Sequence, residues 1–295
     1  MQRNNTTLSA PFRGSTTAAL CLLWASLASA APPHSCPEKE GRWDKGRVSL
    51  LGIPPFLPPE RMELTFAHMA ARFSEHLGRE VRFGTGTTWR RYSENVRKER
   101  YDFALVPWSL YLQLDPGSYL ILGRAPGTFR AEFITLKSSP LEQLTDLIGK
   151  TLAMAPEGSD IDVLARSTLV DQGLDPDRDV TIRQFDGTLS CLQQILAGTA
   201  AACVTLGFAR DSFEEKMGVE LRVMGETVGV PRSPMVAHRR VPEKERETVR
   251  ALLMSWAEDP ANKLPVSGEQ VPSLVPIEAG EYEAVQKLWR SLRER

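Results

Sequence analysis

Short apolar runs closed by Pro or Gly alternate with longer segments of helical period from residue 48 almost to the C-terminus, and no other feature constrains the fold as tightly. Residues 47–53 read as a strand stopped by Pro54-Pro55. A helix follows over 59–77: Pro58 and Pro59 suit its first turn, Gly78 its end, and Leu64, Ala67, Met69, Ala71 and Phe73 give it an apolar stripe. Residues 81–83 predict a second strand, and 84–88 turn into a polar, Arg-rich helix over 89–100. A third strand over 101–106 runs into Pro107-Trp108-Ser109, which opens a short helix, and 119–122 form a fourth.

The second half repeats the order. Strands are expected at 151–154, 180–185, 201–206, 219–224 and 234–237, with helices at 159–172, 189–196, 243–258 and 281–293. Strands spaced by helices of this length predict an α/β fold with mainly parallel sheets.

The first thirty residues read as an export signal. Arg3 and Arg13 precede an apolar stretch, Ala18 to Ala25, and the small-residue pattern Ala28-Ser29-Ala30 follows. The apolar run is shorter than the roughly 20 residues a membrane span needs. Residues 31–46 are polar and read as a flexible linker. Cleavage after Ala30 lowers the basic residues from 36 to 34 against 37 acidic ones. Such a weakly acidic chain with interspersed signs offers no electrostatic footprint for nucleic acid or an anionic membrane.

Cys36, Cys191 and Cys203 survive that cleavage. An oxidising compartment would permit a disulfide. Cys191 lies on a helix and Cys203 on the next strand, however, and a helix packs about 10 Å from its sheet, beyond the roughly 7 Å limit for bridging. Buried free thiols are the expectation. His34, His68, His76 and His238 are too scattered for a metal site, and no cofactor motif is present. Cys191 with His238 is the single conceivable nucleophilic pair, with no third residue to orient it.

Several segments resemble the periplasmic phosphonate- and phosphite-type solute-binding proteins. Tyr101-Asp102-Phe103-Ala104-Leu105-Val106-Pro107 is similar to that family's third strand. Ser139-Pro140-Leu141 through Asp146-Leu147-Ile148-Gly149-Lys150-Thr151-Leu152-Ala153 resembles its turn into the second lobe, and Gln172-Gly173-Leu174-Asp175-Pro176 the end of its next helix. The resemblance implies a two-lobed type II periplasmic binding protein fold with two hinge crossings. Lobe one would comprise residues 47–128 plus 226–295, lobe two 129–225, and Gly127 and Gly225 would lie at the crossings.

Ligands of such folds sit where strand ends meet helix N-termini, whose free N–H groups bind anions. Four segments have that form: Gly86 to Trp89, Pro107 to Ser109 with Tyr111, Glu157 to Asp160, and Asp186 to Ser190. The candidate ligand-binding residues are therefore Thr87, Thr88, Trp89, Trp108, Ser109, Tyr111, Ser159, Asp160 and Thr188. Phe208 is a further candidate for an aromatic wall, and Arg90 and Arg91 for an anion at the rim, though consecutive Arg on a polar helix reads as solvated surface.

Two departures count against phosphonate itself. Where the family carries a run of small and hydroxyl residues after the Gly-Lys strand, this chain has Glu157-Gly158-Ser159-Asp160-Ile161-Asp162, keeping Ser159 alone and adding carboxylates. An acidic residue usual near position 201 is replaced by Ala. The resemblance implies a monomeric, non-enzymatic periplasmic receptor. It would close around a small oxyanion- or phosphonate-like ligand and deliver it to the permease of an ABC transporter. The alternative is a sensory subunit engaging the periplasmic domain of a membrane histidine kinase; a third and weaker reading is an enzyme on the same fold.

Overall fold

The computed structural model describes residues 47–263, 271–278 and 280–293; the expected signal segment 1–30 and linker 31–46 lie outside them. In chain order the elements are β1 (Ser49–Gly52), α1 (Pro59–Leu77), β2 (Val81–Gly84), α2 (Trp89–Arg97), β3 (Phe103–Leu105), α3 (Trp108–Tyr111), β4 (Tyr119–Arg124), β5 (Thr128–Phe129) and β6 (Glu132–Leu136). Then come β7 (Thr151–Met154), α4 (Asp160–Asp171), β8 (Thr181–Gln184), α5 (Thr188–Leu196), β9 (Ala202–Thr205), α6 (Gly207–Met217), β10 (Leu221–Glu226), β11 (Val230–Pro231), β12 (Pro234–His238), α7 (Glu243–Met254) and α8 (Glu283–Arg293).

Two five-stranded sheets result, ordered β2-β1-β3-β12-β4 and β10-β6-β9-β7-β8. Each is a mixed sheet in which four strands run one way and a single strand runs against them. In the first, β1 runs parallel to β2 and β3 while β12 is antiparallel to β3 and β4. In the second, β7 is parallel to β8 and β9 while β6 is antiparallel to β9 and β10. The physical reason is the connectivity. The chain leaves the first sheet after β4 and enters the second as β6, then returns from β10 to β12, and each passage delivers a strand running against its neighbours. The two passages pair as a short antiparallel ribbon, Val230 opposite Phe129 and Pro231 opposite Thr128. β6 and α6 were not expected from the sequence.

Each sheet is covered on both faces. Helix α1 buries Met62, Phe66, Met69, Ala70 and Phe73 against the first sheet, positions that recur at the 3.6-residue period. Leu64 is 47% exposed and Ala71 is exposed, because both point about half a turn from that stripe. Gly78, at φ +63°, closes the helix in the left-handed region that glycine alone enters without strain. Tyr92, Val96 and Tyr101 fill the other face. In the second sheet, α4 covers one face with Ile161, Ala165 and Leu169, and α5 and α6 the other with Leu192, Ile195 and Phe213.

Cys191 on α5 and Cys203 on β9 form a disulfide with Cα atoms 5.5 Å apart, correcting the expectation of free thiols. The 10 Å spacing is measured from the helix axis. An inward-facing Cα stands about 2.3 Å off that axis toward the sheet, and the small side chains of Ala202 and Cys203 on β9 let the helix settle closer still.

Candidate functional site

The strand ends of both sheets meet at one cavity of about 270 Å³. From the first sheet come Pro54, Pro55 and Phe56 after β1, Leu105 and Pro107 at the end of β3, Ala125 after β4, and Arg232 and Ser233 before β12. Trp89 arrives from the start of α2. From the second come Ala155, Pro156 and Ser159 to Ile161 after β7, Phe185 to Gly187 after β8, and Val204 to Leu206 with Phe208 at the end of β9, with Phe129 from the ribbon. Carbon dominates this lining. A larger groove of about 830 Å³ lies between α4 and Trp289 of α8, lined by Arg166, Asp177 and Arg178, and of the turns after the strands only that of β7 reaches it, through Glu157 and Gly158.

Local sequence explains how the polar groups are placed. Gly86 turns the chain into α2: a Cβ there would stand 2.3 Å from the Tyr92 amide nitrogen, so only glycine fits. Thr88 caps α2 by accepting from the Arg91 N–H at 3.2 Å, and Ser159 caps α4 by accepting from the Asp162 N–H at 3.3 Å. Gly158, at φ +75°, lets the chain double back before α4, and its N–H donates to Asp162 Oδ2 at 2.9 Å.

Hydrogen bonds cross between the two sets of strand ends. The Ser109 N–H donates to Asp160 Oδ1 at 3.0 Å and the Ser233 hydroxyl to Asp160 Oδ2 at 2.8 Å. The Ser109 hydroxyl donates to the Gly158 carbonyl at 2.9 Å. Nearer solvent, the Trp89 indole N–H donates to the Glu157 carbonyl at 3.2 Å and the Trp89 backbone N–H to Asp186 Oδ1 at 3.3 Å. Burial pushes the Asp160 carboxyl above its usual range, opposed by the hydrogen bonds from Ser109 and Ser233. Asp162 is raised likewise by burial, against the Gly158 N–H and the guanidinium of Arg166.

Of the residues expected to bind ligand, Trp89, Ser159 and Asp160 line the cavity, with Phe208. Ser109 is fully buried and one hydrogen bond behind the wall. Thr188 opens α5, and its neighbour Gly187 is on the wall. Thr87 is exposed and Thr88 is engaged as a cap; neither lines the cavity. Tyr111 packs with Tyr92 and Tyr119 instead. Trp108 is fully buried, not on the wall: it packs with Val163 and Leu164 of α4, Val230 and Val285. Arg90 is exposed and Arg91 faces Glu94, away from the cavity. Phe56, Phe129, Phe185, Arg232 and Ser233 were missed. Pro54-Pro55 after the first strand was the signal for Phe56, and nothing local marked the others.

The Tyr101-Asp102 segment serves a different end of the molecule. Asp102 Oδ2 accepts from the Leu50 N–H at 3.0 Å and Oδ1 from Arg240 Nε at 2.6 Å. Arg240 also donates to the carbonyls of Glu99 and Tyr101 at 2.6 and 2.7 Å. Because β12 runs antiparallel to β3, this network and His238 sit at the strand ends of the first sheet opposite the cavity.

Several solved structures share the fold. PhnD1 from Prochlorococcus marinus, solved with methylphosphonate, superimposes with a TM-score of 0.72 at 14% identity, covering 84% of this chain and 99% of that one. A Xanthomonas citri protein solved bound to ATP gives 0.65 at 18% identity, covering 84% and 97%. A binding protein component of an ABC phosphonate transporter from Pseudomonas aeruginosa gives 0.69 at 14%, covering 82% and 85%. No curated protein matches the sequence. The family model described as ABC transporter, phosphonate, periplasmic substrate-binding protein matches residues 51–282, and the chain belongs to that family of transport binding proteins.

Proposed function

We propose that this chain captures a small solute outside the inner membrane, closes over it, and presents the closed form to the permease of an ABC importer. The observation that carries this reading is the convergence of strand ends from both sheets on one cavity of about 270 Å³. Residues 47–128 with 226–295 act as one lobe and 129–225 as the other, hinged at the two-residue ribbon of β5 and β11. A solute that touches both walls at once binds the shut arrangement better, and shifts the population by that difference in affinity.

Export through the segment at 1–30 fits the disulfide between Cys191 and Cys203, a bond kept in oxidising compartments. The same bond leaves Cys191 without a thiolate, and His238 lies at the far strand ends of the first sheet, so that pair offers no nucleophile. The chain acts as a monomeric binder, not an enzyme.

Native mass spectrometry of protein purified without dialysis should reveal a co-purified solute. Returning that solute to the stripped protein should give saturable heat and a smaller radius of gyration in solution scattering. Binding without compaction would overturn the closure mechanism.

A further inference from the structure

We propose that the cleft takes an uncharged, predominantly apolar small molecule, because the chain's own carboxylates occupy the donors an oxyanion would use. The inference rests on the receptor reading above and names its ligand class. Asp160 receives the Ser109 N–H and the Ser233 hydroxyl, one on each oxygen. Asp186 receives the Trp89 N–H at the start of α2. On the facing side, the Asp162 N–H of α4's first turn is taken by Ser159, and the Gly158 N–H just before the helix by Asp162. A phosphonate entering here would meet two carboxylates and find the donors of Ser109, Ser233 and Trp89 already taken. Burying an unpaired charge is strongly unfavourable.

A cation fares no better. Both Asp160 oxygens are engaged and the residue is only 5% exposed, so an ammonium would have to break the bonds that cross the cleft. Asp186 is exposed, its charge in water. Arg232 is the single cationic side chain among the described lining residues. It is exposed, with Nε 3.9 Å from the place a Cβ on Gly127 would take, which sets it over the ribbon turn at the rim. What remains for a ligand is carbon: Phe56, Leu105, Phe129, Ile161, Phe185 and Phe208. Aromatic walls favour a flat apolar body by area burial and by ring-to-ring contact.

Calorimetry with the signal-cleaved chain tests this with four probes: indole (uncharged), phenethylammonium (cation), and methylphosphonate and phenylphosphonate (anions). Indole should bind at least tenfold more tightly than any charged probe, and Phe185→Ser should weaken it at least tenfold. Asp160→Ala frees two donors and should raise phenylphosphonate affinity at least tenfold. Asp186→Ala, at an exposed site that does not threaten folding, frees a third and should act in the same direction. Tighter binding of a charged probe by the unaltered chain, no binding of indole, or no gain of anion binding in either alanine variant would overturn the proposal. If a charged solute binds and compacts the protein, the receptor reading stands and the ligand class falls. If no probe and no co-purified solute compacts it, both fall.

Discussion

Asp102 has no exposed surface, and its charge is balanced by Arg240 at 2.6 Å together with the Leu50 N–H. Removing one partner of a buried pair costs about 3–5 kcal/mol when nothing else compensates the charge; here the half-exposed Arg47, 3.5 Å from Oδ1, lowers that to about 2–3 kcal/mol. Arg240→Met should therefore lower the urea unfolding free energy by that order, and an unchanged midpoint would show that the pair is not what anchors this end of the sheet. His238 beside it behaves differently. Its Nδ1 accepts from the Arg240 N–H at 3.1 Å, so the proton sits on Nε2, which faces Glu99 at 3.0 Å. Burial, then the guanidinium of Arg240, holds its pKa below the ordinary value of about 6.5, against Glu99 and Asp102, which raise it. The unfolded chain then binds the proton more readily than the folded one. Stability is full above pH 6.5 and falls as the pH drops through the unfolded value toward the folded one, by at most about 1.4 kcal/mol per pH unit. Subtracting the curve of His238→Gln from that of the parent between pH 7 and 5 isolates the term, and a flat difference would refute it. Sequence alone marked Tyr101-Asp102 as a motif but not as a structural clamp, since Arg240 lies 138 positions away and no periodicity reports so distant a partner.

At the level of elements, the helix and strand order could be read because caps, turns and apolar periods act over a few residues. Pro59, Gly78, Thr88 and Ser159 announced helix ends by local chemistry. The failures have equally local causes. α6 starts at Gly207 with no side-chain cap on Leu206, so no start signal exists, and β6 follows the ribbon too closely to stand out as a separate run. All four helix-opening turns singled out from sequence do lie at strand ends. Which side chain then faces the cavity depends on how each turn is rotated, and that is decided by packing, so Trp89 reaches the wall while Trp108 turns away. The disulfide was lost for a similar reason: the distance between Cα atoms depends on which face of α5 Cys191 occupies. The bond closes a short segment, at a sequence separation of 12. A loop of about that size contributes roughly 3 kcal/mol through the entropy of the unfolded chain. Replacing both cysteines by Ser should lower the unfolding free energy by about 2–4 kcal/mol, with the α5 amides nearest the cavity exchanging fastest. Equal stability of oxidised and reduced protein would overturn this.

For the whole molecule, the two sheets are joined by more than the ribbon. Trp108, opening α3 beside the first sheet, is sealed against Val163 and Leu164 of α4 from the second, with Val230 and Val285 completing the enclosure. Asp160 stands next to this seam with its two bonds to Ser109 and Ser233. Parting the halves would wet an indole that has no exposed surface in this structure, and would return the Asp160 carboxylate to water. The first change opposes opening through lost apolar burial of about 25 cal/mol per Å², whereas the second gives up the hydrogen bonds from Ser109 and Ser233 but restores hydration to the carboxylate. Trp108 should consequently report the motion: ligand addition to stripped protein should shift tryptophan emission to shorter wavelength as the seam dries. Trp108→Phe, which keeps most of the apolar contact, should abolish most of that shift while leaving the scattering change in place. Trp89, also at the cavity, is partly exposed and donates through its indole N–H to Glu157, so Trp89→Phe serves as the control that separates direct ligand contact from closure. If the shift survives in Trp108→Phe and vanishes in Trp89→Phe, the emission follows the ligand alone and the α3–α4 seam stays shut throughout the binding cycle.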